Sequence, residues 1–396
     1  MKEWKEYSLD EICTDIFAGG DAKKLNPTKE KTNNNKIPIY ANSVENEGLY
    51  GYCQIPIVSK PAITIAARGA GTGFVAYREK PFTPIVRLIT LVTKNIVDTK
   101  FLYYNLKNKG IKGDGSAIPQ ITIPMIKKEI VSIPNIHVQK KIAGILSPLD
   151  DKIKLNCRIN ENLEQQVQAL FKSWFVDFVP FKDGKFVDSE LGKIPEGWKV
   201  GTIGDYCKIR SGFAFKSSWW TDKGVKVVKI KNISSSGNLD MNDCSYVNKE
   251  NTLKAKEFSL KPGDLLIAMT GATIGKFCLV PILKERMYVN QRVGKFFLGE
   301  NPILKVPFIY GLLKRENIIS QIINKGQGSA QPNISANDIE SIPIILPTKE
   351  IISKYNEMVS PYFSLLIKEL NEYDYLANLR DTLLPKLMSG ELKLSE

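Results

Sequence analysis

The feature that most constrains the fold of this 396-residue chain is an internal repeat. The ten residues Lys112–Ile121 align with Lys325–Ile334, and seven of the ten positions are identical. Two further pairs of segments match in the same order along the chain: Ile65–Gly73 with Ile267–Gly275, and Trp4–Cys13 with Trp198–Cys207. Self-similarity on this scale means that one structural unit occurs twice. The sequence therefore predicts two copies of one unit.

The offset between matching residues grows along the repeat. It is 194 at the first match, 202 at the second and 213 from Lys112 onward. This growth predicts that the second copy carries loop insertions in its first part. The constant offset afterwards predicts that the later part of each copy is conserved in length.

The first part of each copy has the pattern of a mixed α/β domain. Short β-rich runs, such as Ile63–Ile65 and Ile85–Val92, alternate with Gly and Pro, which punctuate strands. A helical patch at Phe101–Leu106 has a counterpart at Phe308–Leu313. We expect one mixed domain near each start of the repeat.

The second part of each copy has a helical pattern in which apolar residues recur at steps of four and three. This is the 3.5-residue period of a coiled-coil seam, and it covers more than thirty residues in each copy. Polar residues at Asn156, Asn160, Glu369 and Arg380 interrupt the seam, which would fix its register at some cost in stability. The apolar seam residues are Ile142, Leu146, Leu149, Ile153, Leu163, Val167 and Trp174 in the first helix and Tyr355, Val359, Tyr362, Leu366, Leu376, Leu383 and Leu387 in the second.

The order of these parts predicts how the helices pair. The first helix leaves domain one and the second leaves domain two, so the two can pair only antiparallel. The alternative is two amphipathic helices buried in separate globular cores. We predict an α+β fold with a pseudo-two-fold internal repeat, in which two mixed α/β domains are separated by two long antiparallel helices. The predicted boundaries are 1–136 for domain one, 137–180 for the first helical region, 181–197 for a linker, 198–347 for domain two and 348–396 for the second helical region.

The charge balance suggests a polyanionic partner. The chain has 55 Lys and Arg against 42 Asp and Glu, which gives a net charge of +13. Such an excess attracts polyanions, because each neutralised phosphate releases counterions, although basic residues also serve solubility. Two related basic domains on a spacer of fixed length suit double-stranded DNA that presents two short sequences at a set distance.

Several classes of protein are not supported by the sequence. The six cysteines are widely spaced without a C-x-x-C pair, and His137 is the single histidine, which argues against zinc fingers, a disulfide framework and a histidine-based catalytic or metal site. The charged N-terminus lacks the apolar core of a signal peptide, and no run is long enough to span a bilayer. We expect a soluble intracellular protein without a membrane partner, a metal or a cofactor of its own.

Catalytic motifs are equally scarce. There is no Asp-Pro-Pro-Tyr or Asn-Pro-Pro-Tyr motif of amino-methyltransferases. The segment Gly271–Phe277 superficially suggests a phosphate-binding loop, but it is one residue short between its glycines and has Phe277 where Ser or Thr would hold magnesium. A tight turn between strands is the better interpretation. We assign no catalytic residues.

Four segments resemble a known family. They are Leu170–Phe178, Leu379–Leu392, Gly263–Lys276 and Asn290–Gly294. Through them the whole chain resembles the specificity subunits of type I restriction-modification systems. The first copy departs from this pattern, since it has Ala67–Gly73 at the glycine-rich segment and no Gln-Arg-Val-Gly.

The resemblance implies a non-catalytic subunit that gives a methyltransferase and endonuclease complex its DNA specificity. Each of the two domains would be a target-recognition domain for one half of a bipartite DNA target, and the helices would set the spacing. The helix seam would also dock two modification (methyltransferase) subunits, which use S-adenosylmethionine to methylate adenine. Restriction subunits would supply translocation and cleavage with ATP and Mg. The expected location is the cytoplasm of a bacterium or archaeon, in association with the nucleoid.

Candidate DNA-binding residues come from the repeated loops and from nearby cations. In the loops, Lys112 with Ser116 and Lys325 with Ser329 could hold phosphates, although the same sequence could simply turn the chain. Gln120 and Asn333 could recognise adenine or could brace the loops. The remaining candidates, each of which could equally be a solvated surface charge, are Arg68, Arg78, Arg210, Lys216, Lys276 and Arg292.

Two other functions stay open at this point. One is a coiled-coil adaptor or scaffold whose domains bind proteins. The other is a self-sufficient methyltransferase or ATPase, which would be active as the purified chain alone.

Overall fold

The structure is a computed structural model that describes residues 4–115, 119–234, 237–326 and 332–392. It divides into two compact units, of which unit 1 comprises residues 1–152 and 376–396 and unit 2 comprises residues 153–375. The division falls inside two long helices, so each unit contains a part of both. Nothing among the described helices is long and apolar enough to cross a membrane.

Unit 1 is built on a four-stranded sheet of order β2-β8-β5-β6. Its elements are β1 (Lys5–Ser8), α1 (Leu9–Ile12), β2 (Cys13–Ala18), β3 (Ile37–Tyr40), β4 (Leu49–Cys53), β5 (Ala62–Ala66), β6 (Val75–Arg78), β7 (Thr83–Pro84), β8 (Leu88–Thr93), α2 (Thr99–Lys109), α3 (Ile123–Lys128), β9 (Ile130–Ile133) and the first part of α4 (Ile136–Phe175). All five residues of β5 are buried, as a central strand covered on both faces requires. Asp98 caps α2 by accepting the N–H of Phe101, and the apolar face of this helix enters the same core.

Unit 2 repeats this plan on a four-stranded sheet of order β13-β20-β17-β18. Its elements are β10 (Phe186–Ser189), β11 (Gly192–Pro195), β12 (Lys199–Thr202), α5 (Ile203–Tyr206), β13 (Lys208–Ser211), β14 (Trp220–Thr221), β15 (Val225–Val228), β16 (Ser245–Val247), β17 (Leu265–Ala268), β18 (Phe277–Leu279), β19 (Tyr288–Val289), β20 (Val293–Phe297), α6 (Val306–Leu313), α7 (Glu316–Lys325), α8 (Ala336–Glu340), β21 (Pro343–Leu346) and most of α9 (Lys349–Met388). The segment predicted as a linker contains the β10–β11 hairpin.

The insertions in the second copy carry secondary structure, so the prediction of loop insertions was wrong in this respect. The second sheet of unit 1 has three strands, β4-β3-β7, whereas that of unit 2 has four, β14-β16-β15-β19. In both of these sheets the last strand along the chain has two residues and pairs in parallel, β7 with β3 in unit 1 and β19 with β15 in unit 2. The additional helix α7 lies between α6 and the repeated loop, where the described residues 110–111 of unit 1 form no helix.

The two long helices pair antiparallel, as predicted. In unit 1, Arg380 of α9 contacts Asp150 of α4 at 2.8 Å. In unit 2, Asn156 Nδ2 of α4 donates to Glu372 of α9 at 3.0 Å, and the rings of Phe175 and Tyr355 lie 4.7 Å apart. Residue numbers rise along α4 as those of its partners fall along α9, which defines antiparallel pairing.

The predicted seam residues are buried or half-buried in the folded protein. Leu149, Trp174, Tyr362, Leu376 and Leu383 are half-buried and the other nine apolar seam residues are buried. The polar seam positions Asn156 and Glu369 are also buried. At the end of α4 the deepest residues are Phe171 and Phe175, one position after the predicted face, because the helix there packs against α6 as well as α9. The nine buried side chains fill these cores and cannot also dock another subunit, whereas docking through the five half-buried seam residues stays a prediction.

All six cysteines are free, and five of them are buried. Stability must therefore come from the two extended hydrophobic cores, one in each unit.

Candidate nucleic-acid interface

The repeated loops occupy the same place in both units, next to the turn of the central hairpin. In unit 1, Arg68 and Gln120 form an antiparallel backbone bridge beside the β5–β6 turn. In unit 2, Thr270 and Asn333 form the same bridge beside the β17–β18 turn. The two bridges are related by the offsets of the sequence repeat. The matching segments are therefore equivalent in their backbone pairing as well as in sequence.

Glycines in unit 1 allow the loop and the turn to approach each other. A Cβ added to Gly73 would lie 2.0 Å from the carbonyl oxygen of Ile111, and Gly73 has φ +88°. A Cβ on Gly113 would lie 2.9 Å from the amide nitrogen of Gln120. No side chain fits in either place, so these glycines hold the two segments in contact. The contact borders a cleft of about 630 Å³ with Lys112 in its lining.

Three predicted residues of unit 1 meet at this turn. Lys112 and Gln120 are exposed and Arg68 is half-buried. The side-chain amide of Asn42 holds Arg68 by both backbone groups, since its Oδ1 accepts the N–H and its Nδ2 donates to the carbonyl. These two hydrogen bonds fix the backbone of Arg68 and do not involve its side chain.

Arg78 is the exception, and its prediction as a DNA contact was wrong because its side chain is buried. Its side chain is 3% exposed. Nε donates to Thr64 Oγ1 at 3.1 Å, Nη2 donates to the carbonyl of Glu47 at 2.6 Å, and the guanidinium lies 3.6 Å from the centre of the Tyr40 ring. Burial lowers the pKa of this guanidinium. Its role is to join β6 to the loop before β4.

Arg87 was missed by sequence reasoning. Its carbonyl accepts the N–H of Ala67 at 3.1 Å, just as the carbonyl of Arg292 accepts the N–H of Met269 at 3.0 Å in unit 2. Both arginines are exposed, and Arg87 adopts φ +66°, which is uncommon for a residue with a side chain. The available signal was the match of Arg87-Leu88 to Arg292-Val293 within the repeat. Each unit thus presents one exposed arginine just before β8 or β20, hydrogen-bonded through its carbonyl to the start of the hairpin turn.

In unit 2 the predicted residues Arg292 and Asn333 lie beside the β17–β18 turn, and Lys276 is within it. Asn333 Oδ1 accepts from Thr270 Oγ1 at 3.0 Å. This bond corresponds to the alternative interpretation of Asn333, in which the amide braces the loop.

The other predicted cations of unit 2 have partners of their own. Lys325 donates to Ser341 Oγ at 3.0 Å. Arg210 pairs with Glu257 at 2.8 Å. Lys216 lies 5.5 Å from the ring centre of Trp219, which in turn stacks on Phe213. Ser116 and Ser329 lie outside the described residues.

The segment that superficially suggested a phosphate-binding loop is a turn. A 3-10 helix at Gly271–Thr273 joins the antiparallel strands β17 and β18. A phosphate-binding loop would instead lead from a strand into an α-helix. Within the described ranges no group of His, Cys, Asp and Glu side chains could hold a metal ion.

Comparisons with known proteins give one consistent result. The family model described as the type I restriction modification DNA specificity domain matches residues 1–165 and 195–373. The MjaIX specificity subunit of a type I restriction enzyme from Methanocaldococcus jannaschii is 30% identical over 359 residues, which are 87% of this chain and 80% of that protein. The HindI specificity subunit from Haemophilus influenzae is 25% identical over 99% of this chain and 100% of its own length.

A solved structure has the same fold. It is the S subunit of a type I restriction-modification system from M. genitalium, which superposes with a TM-score of 0.65 at 18% identity. The match covers 97% of this chain and 96% of that one. At this identity the likeness concerns the fold alone.

Proposed function

The chain belongs to the type I restriction-modification DNA specificity family, and on this premise we propose that it selects the DNA sequence on which such a complex acts. Each unit recognises one half of a bipartite target. The family relationship favours this function over a protein-binding adaptor.

The observation that carries the proposal is the equivalent but non-identical hairpin turn of the two units. Beside each turn lies an exposed arginine, Arg87 or Arg292, whose carbonyl accepts the equivalent backbone hydrogen bond from the start of the turn. The residues at the neighbouring bridge differ, with Arg68 and Gln120 in one unit and Thr270 and Asn333 in the other. Conserved cations suit the DNA backbone, which is the same in both halves, whereas changed side chains suit base edges, which differ.

The remaining parts of the complex are part of the proposal. The chain itself is non-catalytic and binds no cofactor. Two modification subunits would dock on it and bind S-adenosylmethionine, and restriction subunits would bind ATP and Mg. The complex would work in the cytoplasm, in association with the nucleoid.

The test is a genome-wide map of methylated adenines in cells with and without this chain. We expect one bipartite motif to lose its methylation when the chain is deleted, and to regain it when the chain is restored. The purified complex should also be retained on duplex DNA in a salt-dependent manner, because phosphate contacts release counterions. An unchanged methylation map together with salt-independent binding would contradict the proposal.

A further inference from the structure

In unit 1 a pair of hydrogen bonds, here called a tie, joins the domain helix α2 to α4 and, through the Asp150 carboxylate, to α9. Tyr104 of α2, which is 2% exposed, donates from Oη to Asp150 Oδ2 of α4 at 2.8 Å. The other oxygen of that carboxylate accepts from Arg380 Nη1 of α9, also at 2.8 Å. The side chains of Asp150 and Arg380 are 14% and 16% exposed. Three separate elements therefore meet at one carboxylate.

Unit 2 contains a related tie, in which α9 is reached by a ring contact instead of a hydrogen bond. Tyr310 of α6 donates to Glu164 Oε1 of α4 at 2.9 Å. Glu164 Oε2 accepts from Lys314, the residue that follows α6, at 3.0 Å. The ring of Tyr310 packs edge-on against Phe363 of α9, with centroids 5.1 Å apart. Here too a domain helix is joined to α4 by a hydrogen bond and contacts α9.

The two ties are made by residues that do not correspond in the repeat. Alignment of Phe101–Leu106 with Phe308–Leu313 places Tyr104 opposite Gly311, and the offset of 213 places Asp150 opposite Phe363 and Glu164 opposite Ala377. Neither bond can therefore be a remnant of one ancestral contact. The same connection has arisen from different residues in the two units, which indicates that the connection itself is required.

A directional bond at this place has a consequence that apolar packing lacks. A buried hydroxyl is costly unless it is hydrogen-bonded, and a bond to a carboxylate is stronger than one to a neutral acceptor. Each domain helix is thus favoured in the one position that brings its tyrosine onto the carboxylate. Burial first, and the carboxylate second, raise the pKa of both tyrosines, so each hydroxyl keeps its proton and remains a donor.

We propose that Tyr104 with Asp150 and Arg380, and Tyr310 with Glu164 and Lys314, are positioning residues that fix the orientation of each recognition domain on the paired helices. This inference rests on the proposed function. A domain that can shift on the helices would still contact DNA, but it would present its residues to the base edges less accurately. The ties thereby set how strictly each half-site, and the spacing to the other, is recognised.

The test uses the full chain in complex with its modification subunits and carrying Tyr104→Phe or Tyr310→Phe. The probes are duplexes with the bipartite target from the methylation map, with one or the other half substituted, and with the spacer changed by one base pair. We expect each variant to lower discrimination at one half-site by about three- to tenfold, and the two variants to affect opposite halves. The penalty for the altered spacer should fall in both.

Tyr103→Phe is the matched control, because this neighbouring hydroxyl accepts from Lys107 on its own helix. It should leave both half-sites and the spacer preference unchanged. If the two test variants lower only the melting temperature, or weaken both halves equally, the residues are merely structural and the inference is overturned. If the unaltered complex itself fails to distinguish the half-sites, the proposed function fails instead.

Discussion

Gly311 shows how a single residue can be required for packing when its backbone conformation does not require glycine. It lies inside α6, where alanine would normally favour the helix by up to about 1 kcal/mol. A Cβ at this position, however, would lie 2.1 Å from a ring carbon of Phe171. That ring is held between Phe175, Phe308 and Tyr355, so it has little room to move.

We therefore expect Gly311→Ala to destabilise unit 2, since overpacking a core typically costs about 1–3 kcal/mol. The measurement is the free energy of unfolding of the full chain in denaturant. The matched control is Gly144→Ala in α4, where a Cβ would meet nothing within 4 Å and the helix should gain a few tenths of a kcal/mol up to about 1 kcal/mol. If the Gly311→Ala chain is as stable as the unaltered one, the ring of Phe171 can move aside to make room for the added Cβ.

At the same scale, the sequence identified which residue types could contact DNA but not which were accessible. Arg78 looked like any other cation, because its partners Glu47, Tyr40 and Thr64 come from distant parts of the chain. Arg87 was overlooked because the apolar residues around it read as one strand from Ile85 to Val92. The strand begins only at Leu88, and the preceding arginine turns outward at positive φ. Burial and φ depend on tertiary contacts that a single sequence does not display.

At the scale of elements, the long helices were the most predictable part of the fold. Their apolar period is local in sequence, and it placed the first helix within 137–180, where α4 spans Ile136–Phe175. The offset of the repeat revealed that insertions exist but not what they form. Strand β14 is only two residues long and depends on pairing with β16, so no local pattern could reveal it.

Helix α9 carries a half-buried acid, Asp374, with a consequence for pH dependence. Burial first, and the neighbouring Asp240 second, raise the pKa of Asp374 to about 6, while Lys284 opposes them. The folded state then binds this proton more tightly than the unfolded state, whose pKa is near 3.9. Stability from this group is therefore present below about pH 4 and is lost as the pH rises to about 6.

Asp374→Asn should remove that penalty. Because the side chain retains contact with solvent, we expect a gain of only about 1 kcal/mol at pH 7.5, well below the full value of the pKa difference. At pH 4 the variant and the unaltered chain should unfold alike. The measurement is the melting temperature of both chains between pH 4 and pH 8. A constant difference across this range would show that the carboxyl does not titrate as stated.

At the scale of the whole molecule, the repeat separates what has changed from what has been kept. The insertions and the substituted bridge residues lie in the two α/β domains, whereas the offset of 213 is constant from the repeated loop through both helices. This distribution is expected if the domains recognise different sequences while the helices keep a fixed length. The length of the helices should then determine the spacing within the DNA target.

A matched insertion of seven residues after Lys152 in α4 and after Tyr375 in α9 tests this dependence. Seven residues preserve the phase of the seam, because two periods of 3.5 residues are added. They lengthen each helix by about 10.5 Å, or about three base-pair rises of 3.4 Å. We expect the methylated target to keep both half-sites and to gain about two to three base pairs of spacer. Insertion into α4 alone should abolish recognition, because the seam residues of α4 and α9 are then out of register. If the matched insertion leaves the spacer of the DNA target unchanged, the helices do not determine the length of that spacer.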